Sequence, residues 1–500
     1  MKWTVEGTSM PNWLKKRAEL TPERVALHYK DTPYTFKELY EYALGYARRF
    51  YGMGIRKGDK VGILQGNTFE MVLTIHAHML IGTEMVLFNI RLSPKELLWQ
   101  LKDSGVGTVF ADRERLSMLG GYGQGKVCCI QDIEPAVSET EFDPFVVGEI
   151  DLHSPVTYMY TSGTTGRPKA VIQTYGNHWW SAAGSMLNLG LQERDVWLCA
   201  VPLFHISGLS ILMRSVIYGM TVVLHSHFDE RQVNRAIREQ HVTIASVVTA
   251  MLNRLLINLK EEAYPAEFRC MLLGGGPAPL SILESCKKKG IPVYQTYGMT
   301  ETSSQFVTLS PEYSLSKLGS AGKALFPCQL KIMDGQKEAG VNEVGEIVVK
   351  GPNVTSGYAG NEEANAQAFL EGGWFRTGDM GRLDNDGFLY VVDRRSDLII
   401  SGGENIYPAE LEAAICEHPA VLEAGVTGLP DEKWGMVPIA FVVLKDQSCT
   451  VDELQEHCIN NLAKYKRPRE MYILKELPKN ASNKLVRKNL IGLRERLRSM

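Results

Sequence analysis

From Lys60 onward the chain switches repeatedly between two hydrophobic periods, and that alternation restricts its fold more than any single residue does. KVGILQGN (60–67) reads as a strand, TFEMVLTIHAHMLIG as a helix, TEMVLFN as a strand and SPKELLWQLKDSG as a helix. The last helix carries its own start signal. Ser93 can cap it, Pro94 fits a first turn that needs no donor, and Glu96 stands three residues after Ser93 in capping-box position. The alternation returns in TVVLHSHF, ERQVNRAIREQ and VTIASVV, and again in CMLLGGG, APLSILESCKKKG and IPVYQTYG. Such a pattern implies an α/β fold with parallel sheets covered by helices on both faces. Folds of this class bind ligands at the carboxyl ends of their strands, so chemistry is expected in the loops that follow them.

Five hundred residues exceed what one hydrophobic core organises, so at least two domains are expected. The texture changes after about Tyr390, where the charged run 393–397 precedes a compact segment of helices and short strands. This sets expected domains at 1–395 and 396–500. A net charge of -3 gives no electrostatic reason to expect nucleic acid or an anionic membrane as partner. The N-terminal stretch has no apolar signal region, and the most apolar stretch, 71–88, is interrupted by His76, His78, Gly82 and Glu84, so no membrane span is expected. Nine cysteines without a CxxC pair, two of them adjacent at Cys128 and Cys129, suit reduced core thiols in a cytoplasmic protein. The basic tail from Lys484 reads as a solvated helical face.

The sharpest local signal is YTSGTTGRPKAV, residues 160–171. It is not a Walker loop, because Arg167 follows Gly166 and the flanks VTYMYT and AVIQTY look like strands. The loop offers hydroxyls from Thr161, Ser162, Thr164 and Thr165, backbone amides at Gly163 and Gly166, and the charge of Lys169, which suits a polyphosphate. A plain surface hairpin uses the same residue types.

This stretch resembles the phosphate loop of the adenylate-forming superfamily, which contains acyl-CoA synthetases, luciferases and the adenylation domains of peptide synthetases. Further motifs similar to that family's follow in order: YGMTE at 297–301, WFRTGDMG at 374–381, the run 393–397, SGGENIYPAELE at 401–412 and PKNASNK at 478–484. The resemblance covers essentially the whole chain. It implies a large N-terminal domain of doubly wound mixed sheets with a β-rich subdomain, plus a small mobile α+β C-terminal domain.

It also implies an ATP- and Mg²⁺-dependent enzyme that joins a carboxylic acid to AMP and passes the acyl group to coenzyme A. Lys484 matches the catalytic lysine that would bridge the acyl carboxylate and the α-phosphate. Thr300 would contact the α-phosphate and Glu301 would hold Mg²⁺. Asp379 and Arg394 would hold the ribose, while Gly274, Gly275, Gly276 and Pro277 would lie against adenine, with Tyr297 as a stacking surface beside Gly298 and Met299. The hinge is expected at Ser396, where most relatives have Asp or Lys, and Gly402 and Gly403 would line the tunnel for the thiol. Homo-oligomers are common in the family.

The acyl site is expected around PLFHISGLS, with His205, Ser207 and Gly208, and near Ser303 and the turn 319–323. In GLSILMRSVIYG, which reads as a buried helix or extended core element, Arg214 is the only charge. A buried guanidinium without an anion costs several kcal/mol. Its partner is either a protein carboxylate or a second carboxylate on the acid. A fatty acid gives a buried cation nothing to hold. Lys464, Lys466 and the tail arginines are candidates for the phosphates of the thiol co-substrate.

Overall fold

A computed structural model gives the structure of the protein. It describes all residues except 1–8, 137–142, 144, 162–167, 276, 277, 279, 395–397, 446, 447, 479–484, 486, 499 and 500, and the side chains of 392–394, 409 and 488. The chain divides into two compact units. One comprises Met1–Ile90, Ser104–Met159 and Ala170–Val392; the other comprises Arg91–Asp103, Tyr160–Lys169 and Asp393–Met500.

The strand and helix alternation appears as expected. The strand Lys60–Leu64 leads to the helix Phe69–Ile81 and the strand Glu84–Leu87, which pairs in parallel with Lys60–Leu64. These strands lie within a 7-stranded sheet. Every residue of the helix from Met71 to Ile81 is buried, which explains a segment apolar on all sides.

A second sheet of nine strands has a parallel centre, from Val293–Met299 through Cys270–Gly274, Ile244–Val248, Val196–Cys199 and Thr221–Leu224 to Val25–Tyr29. Ser304–Leu309 extends it antiparallel beside Val293–Met299. The segment around Arg214 is a helix, Ile206–Tyr218, buried from Gly208 to Val216. A third, antiparallel sheet built on Gly345–Lys350 and Trp374–Leu383 supplies the β-rich part.

The second unit holds a 5-stranded sheet. Its strands Val421–Asp431 and Gly435–Leu444 are long, where the sequence suggested short ones. Gly435–Leu444 is apolar on both faces because both are covered. Ala440, Val442 and Leu444 join one core with Ile399 and Leu411, and Ile439, Phe441 and Val443 join another with Leu477 and Leu490. The basic tail therefore contributes to a core. Its helix Lys488–Arg498 buries Leu490, and Arg494 pairs with Glu470 at 2.6 Å, so the reading of a purely solvated face is corrected. The nine cysteines are free thiols, but they are not all core residues, since Cys416 is exposed. Among the described residues no helix is long and apolar enough to cross a membrane.

Candidate active site

The YGMTE motif forms the crossing between two adjacent strands. Tyr297, Gly298 and Met299 end the strand Val293–Met299, Thr300–Thr302 make one 3-10 turn, and Ser304 begins the returning strand. A side chain on Gly298 would place its Cβ 2.0 Å from the Ser304 carbonyl oxygen, so only glycine fits this approach. Ser303 and Ser304 have φ of 52° and 108°, left-handed values that β-carbon-bearing residues rarely adopt.

The turn is held from outside at successive carbonyls. Gln173 Nε2 donates to Thr300 O at 2.8 Å, and the Thr355 amide to Glu301 O at 2.7 Å. Asn353 Nδ2 donates to Thr302 O at 2.9 Å, and Ser181 Oγ to Ser303 O at 2.6 Å. Glu301 is 5% exposed, and the Tyr358 hydroxyl donates to its Oε1 at 3.0 Å.

Two motifs far apart in sequence meet at Tyr297 and Asp379. The phenol donates to Asp379 Oδ2 at 2.8 Å, and Tyr297 itself is buried among Val171, Phe306 and Ile347. Asp379 sits on Trp374–Leu383, where its amide donates to Thr377 Oγ1 at 3.0 Å. Gly274 closes the strand Cys270–Gly274, and Gly275 follows at φ 86°, with Val248 Cγ1 3.3 Å from where a Cβ would lie. Gly276 and Pro277 lie outside the described residues.

The acid-site candidates gather around the helix Ile206–Tyr218. Asn67 fixes the loop before it, accepting from the Leu203 amide at 2.8 Å and donating to Val201 O at 2.9 Å. His205 is the cap residue, half-buried against Phe204. Ser207 is exposed, while Gly208 turns its α-carbon to the Pro202 carbonyl, 2.2 Å from a would-be Cβ.

Arg214 is 1% exposed. Its Nη2 donates to Ser304 Oγ at 3.3 Å, its guanidinium lies 5.2 Å from the Trp197 ring centre, and its Nε has no partner. Burial lowers its pKa, opposed by Tyr218. Among the described residues no carboxylate forms an ion pair with it. Burial, and secondarily the charge of Arg214, hold nearby His178 neutral with its pKa lowered to about 3. Ser303 Oγ is buried without a partner, and Ser210 donates to Ser304 Oγ at 3.3 Å. Sequence reasoning missed Ser304, whose hydroxyl has no signature until the strand pairing brings it to Arg214.

Thr161 ends the strand Pro155–Thr161 and Lys169 begins Lys169–Thr174, as expected for a loop between strands. Ser162, Gly163, Thr164, Thr165 and Gly166 lie outside the described residues, as do Ser396 and Lys484. The backbone of Arg394 ends Leu389–Arg394, its side chain being outside the description. In the second unit, Gly402 and Gly403 have φ of 59° and 89°, and Trp434 Cε3 is 2.7 Å from where a Gly402 Cβ would lie. Lys466 is not free to bind a phosphate. It is 4% exposed, 2.7 Å from Glu96 and 2.6 Å from Glu410, and Tyr465 together with these carboxylates raises its pKa against the effect of burial.

One buried carboxylate suits Mg²⁺, which commonly takes one or two carboxylates together with substrate phosphates. Among the described residues no group of three or more His, Cys, Asp or Glu could form an all-protein cage, so Glu301 fits an ion that arrives with its nucleotide.

Comparison with known proteins gives the lineage of this arrangement. The AMP-binding enzyme family matches residues 14–359, and the AMP-binding enzyme C-terminal domain matches 410–484. The 2-succinylbenzoate--CoA ligase of Geobacillus kaustophilus is 57% identical over 489 residues, covering 97% of this chain and 98% of that protein. A double mutant of the o-succinylbenzoate CoA synthetase of Bacillus subtilis, bound to its product analogue OSB-NCoA, is 51% identical with a TM-score of 0.92, covering 97% and 98% of the two chains. The same enzyme in complex with ATP and magnesium ion is 50% identical with a TM-score of 0.75, covering 97% of this chain and all (100%) of that one. With motifs, turn and buried carboxylate in place, and with matches that span nearly its full length, the chain belongs to the AMP-binding enzyme family.

Proposed function

We propose that the protein is an ATP-dependent o-succinylbenzoate–CoA ligase working in the cytoplasm in menaquinone biosynthesis. The observation that carries the substrate is Arg214, a buried guanidinium with no carboxylate partner among the described residues. o-Succinylbenzoate brings two carboxylates, one to be activated on its succinyl arm and one on the ring that can neutralise Arg214. The named activities of the relatives point to the same acid.

In the first half-reaction a succinyl carboxylate oxygen attacks the α-phosphorus of ATP, and the bond to pyrophosphate breaks. This draws anions together, so the protein's task is positioning and charge compensation. Thr300 faces the α-phosphate, Glu301 holds Mg²⁺, and Lys484 bridges the acyl carboxylate and the α-phosphate. Bound magnesium supplies neutralising charge to the phosphates. Lys169 and the hydroxyls of Thr161, Ser162, Thr164 and Thr165 cradle the leaving pyrophosphate with the amides of Gly163 and Gly166. Asp379 and Arg394 hold the ribose, and Gly274 to Pro277 with Tyr297 receive the adenine. In the second half-reaction the CoA sulfur attacks the acyl carbon and AMP leaves. Gly402 and Gly403 line the thiol's path, Ser396 is the hinge, and His205 borders the acyl carbon.

Purified protein is tested for CoA thioester formation with ATP and Mg²⁺, comparing o-succinylbenzoate with benzoate, acetate, a medium-chain fatty acid and no acid. Strong preference for o-succinylbenzoate is expected. Preference for an acid with a single carboxylate would leave the ligase chemistry standing and remove Arg214 as its specificity element.

A further inference from the structure

A buried line of hydrogen bonds reaches the turn Thr300–Thr302 from a helix that carries none of the assigned site residues. It runs from His178, on Tyr175–Leu189, through Thr157 and Gln173 to the carbonyl of Thr300. The separations are 2.8 Å from His178 Nε2 to Thr157 Oγ1, 2.9 Å from Thr157 Oγ1 to Gln173 Oε1, and 2.8 Å from Gln173 Nε2 to Thr300 O. Thr157 and Gln173 are 0% exposed and His178 is 2% exposed.

The direction of this line is fixed from its end. A carbonyl oxygen only accepts, so Gln173 must present its amide nitrogen to Thr300 and its amide oxygen to Thr157. That oxygen also only accepts, so the Thr157 hydroxyl spends its proton on Gln173. His178 must then donate from Nε2, which fixes its tautomer. Reversing any one link would leave a buried donor or acceptor unpaired, which costs about 1–3 kcal/mol. Gln173 therefore helps to set where Thr300, the first residue of the turn, sits, and Glu301 follows it directly in the same 3-10 turn. Thr300 O also accepts from the Ser303 amide within the turn at 3.1 Å, but of the described donors that reach the turn from outside, Gln173 is the one at its Thr300 end and the others grip later carbonyls.

We propose that Gln173 is a positioning residue for the adenylation step, acting through the Thr300 carbonyl on the side chains of Thr300 and Glu301. This rests on the reading that those two residues face MgATP. Small displacements of such groups cost rate steeply, since a misplacement of about 1 Å can lower a rate about a hundredfold.

The experiment separates the two half-reactions. Gln173→Glu keeps the acceptor for Thr157 but, when ionised, offers Thr300 O no donor. Adenylation is read as pyrophosphate release with o-succinylbenzoate, and thioester formation is read from preformed acyl adenylate and CoA. At pH 8 the variant is expected to lose roughly ten- to a hundredfold in adenylation kcat with little change in KM for ATP, and to keep thioester formation. As pH falls toward 6, its adenylation relative to the unsubstituted protein should recover, because a protonated carboxyl group can again donate to Thr300 O. Thr157→Val cuts the line one link earlier and should show the same selectivity between half-reactions with a smaller loss. Equal losses in both half-reactions, or a loss in Gln173→Glu that does not respond to pH, would overturn the inference. Failure of the unsubstituted protein to release pyrophosphate with any acid would overturn the ligase reading and this inference with it.

Discussion

The Tyr358 hydroxyl donates a 3.0 Å hydrogen bond to Oε1 of Glu301, a carboxylate that is only 5% exposed. The two residues are 57 positions apart, and the strand Gly357–Tyr358, paired with Lys169–Thr174, delivers the phenol. Such a bond to a charged acceptor is worth about 1.5–3 kcal/mol and fixes how the carboxylate is turned. Tyr358→Phe should therefore raise the Mg²⁺ concentration for half-maximal pyrophosphate release by about tenfold, while Glu301→Gln should lower the maximal rate itself by at least about a hundredfold. A magnesium titration of both variants checks this, and an unchanged midpoint in Tyr358→Phe would mean that the phenol does not orient the carboxylate.

Arg214 makes a prediction with opposite signs for stability and function. A buried cation with no carboxylate partner among the described residues is a cost to the fold, so Arg214→Met should leave the unliganded protein as stable or raise its Tm. The same change should raise KM for o-succinylbenzoate by about tenfold or more and leave KM for ATP unchanged, since roughly 1.4 kcal/mol corresponds to each factor of ten. Thermal denaturation and steady-state kinetics on one preparation test both halves. A large fall in Tm with no change in KM would make Arg214 a structural residue.

Three buried histidines tie stability to pH. Burial lowers His76 to about 4 and His78 to about 3, and burial beside Arg214 lowers His178 to about 3. The unfolded chain takes up these protons near pH 6.5 and the folded chain refuses them, so their contribution is complete above 6.5 and is lost as pH falls toward the folded values. Each group should contribute a slope approaching about 1.4 kcal/mol per pH unit in that interval. His78 is stacked on Phe50 at 4.8 Å and neither of its ring nitrogens has a partner, so His78→Phe should flatten the slope in urea denaturation between pH 6.5 and 5. An identical slope in the variant would show that His78 is not the group resisting protonation.

Gly298→Ala tests the close approach of the two strands. Its Cβ would lie 2.0 Å from the Ser304 carbonyl, so the turn must shift to accept a methyl group. Overpacking of this kind costs about 1–3 kcal/mol, and here it should also reduce adenylation at least tenfold by moving Thr300 and Glu301. Gly290→Ala is the control, since nothing lies within 4 Å of its would-be Cβ, although its φ of 67° carries a backbone cost of its own. Equal activity of the two variants would count against the constraint.

What the sequence disclosed was what is local or periodic. The segment 60–87 could be assigned because its strand and helix periods differ, and the Ser93–Glu96 box could be read because both partners stand in one turn. The Ser93 amide indeed donates to Glu96 at 2.8 Å. That Glu96 also receives Lys466 could not be read, because 370 positions separate them and nothing in a lysine's neighbours says that it will be buried. Gln173, Asn353 and Ser181 were equally hidden. They grip backbone carbonyls, which every residue possesses, so no pattern of side-chain types marks the contact. That no carboxylate among the described residues pairs with Arg214 depends on what segments distant in sequence place around it, and only packing reveals that.

Because the grip on the turn falls on carbonyls, the side chains at Ser303 and Ser304 carry little of its shape. Ser303 Oγ bonds to nothing, whereas Ser304 Oγ accepts from Arg214 and Ser210, and of the two positions only Ser303, at φ 52°, lies in the left-handed region that asparagine shares with glycine. The turn Thr300–Thr302 is thus followed by one position, Ser303, whose hydroxyl holds none of its backbone in place. Ser303→Gly should therefore leave the backbone of the turn, and with it pyrophosphate release, intact.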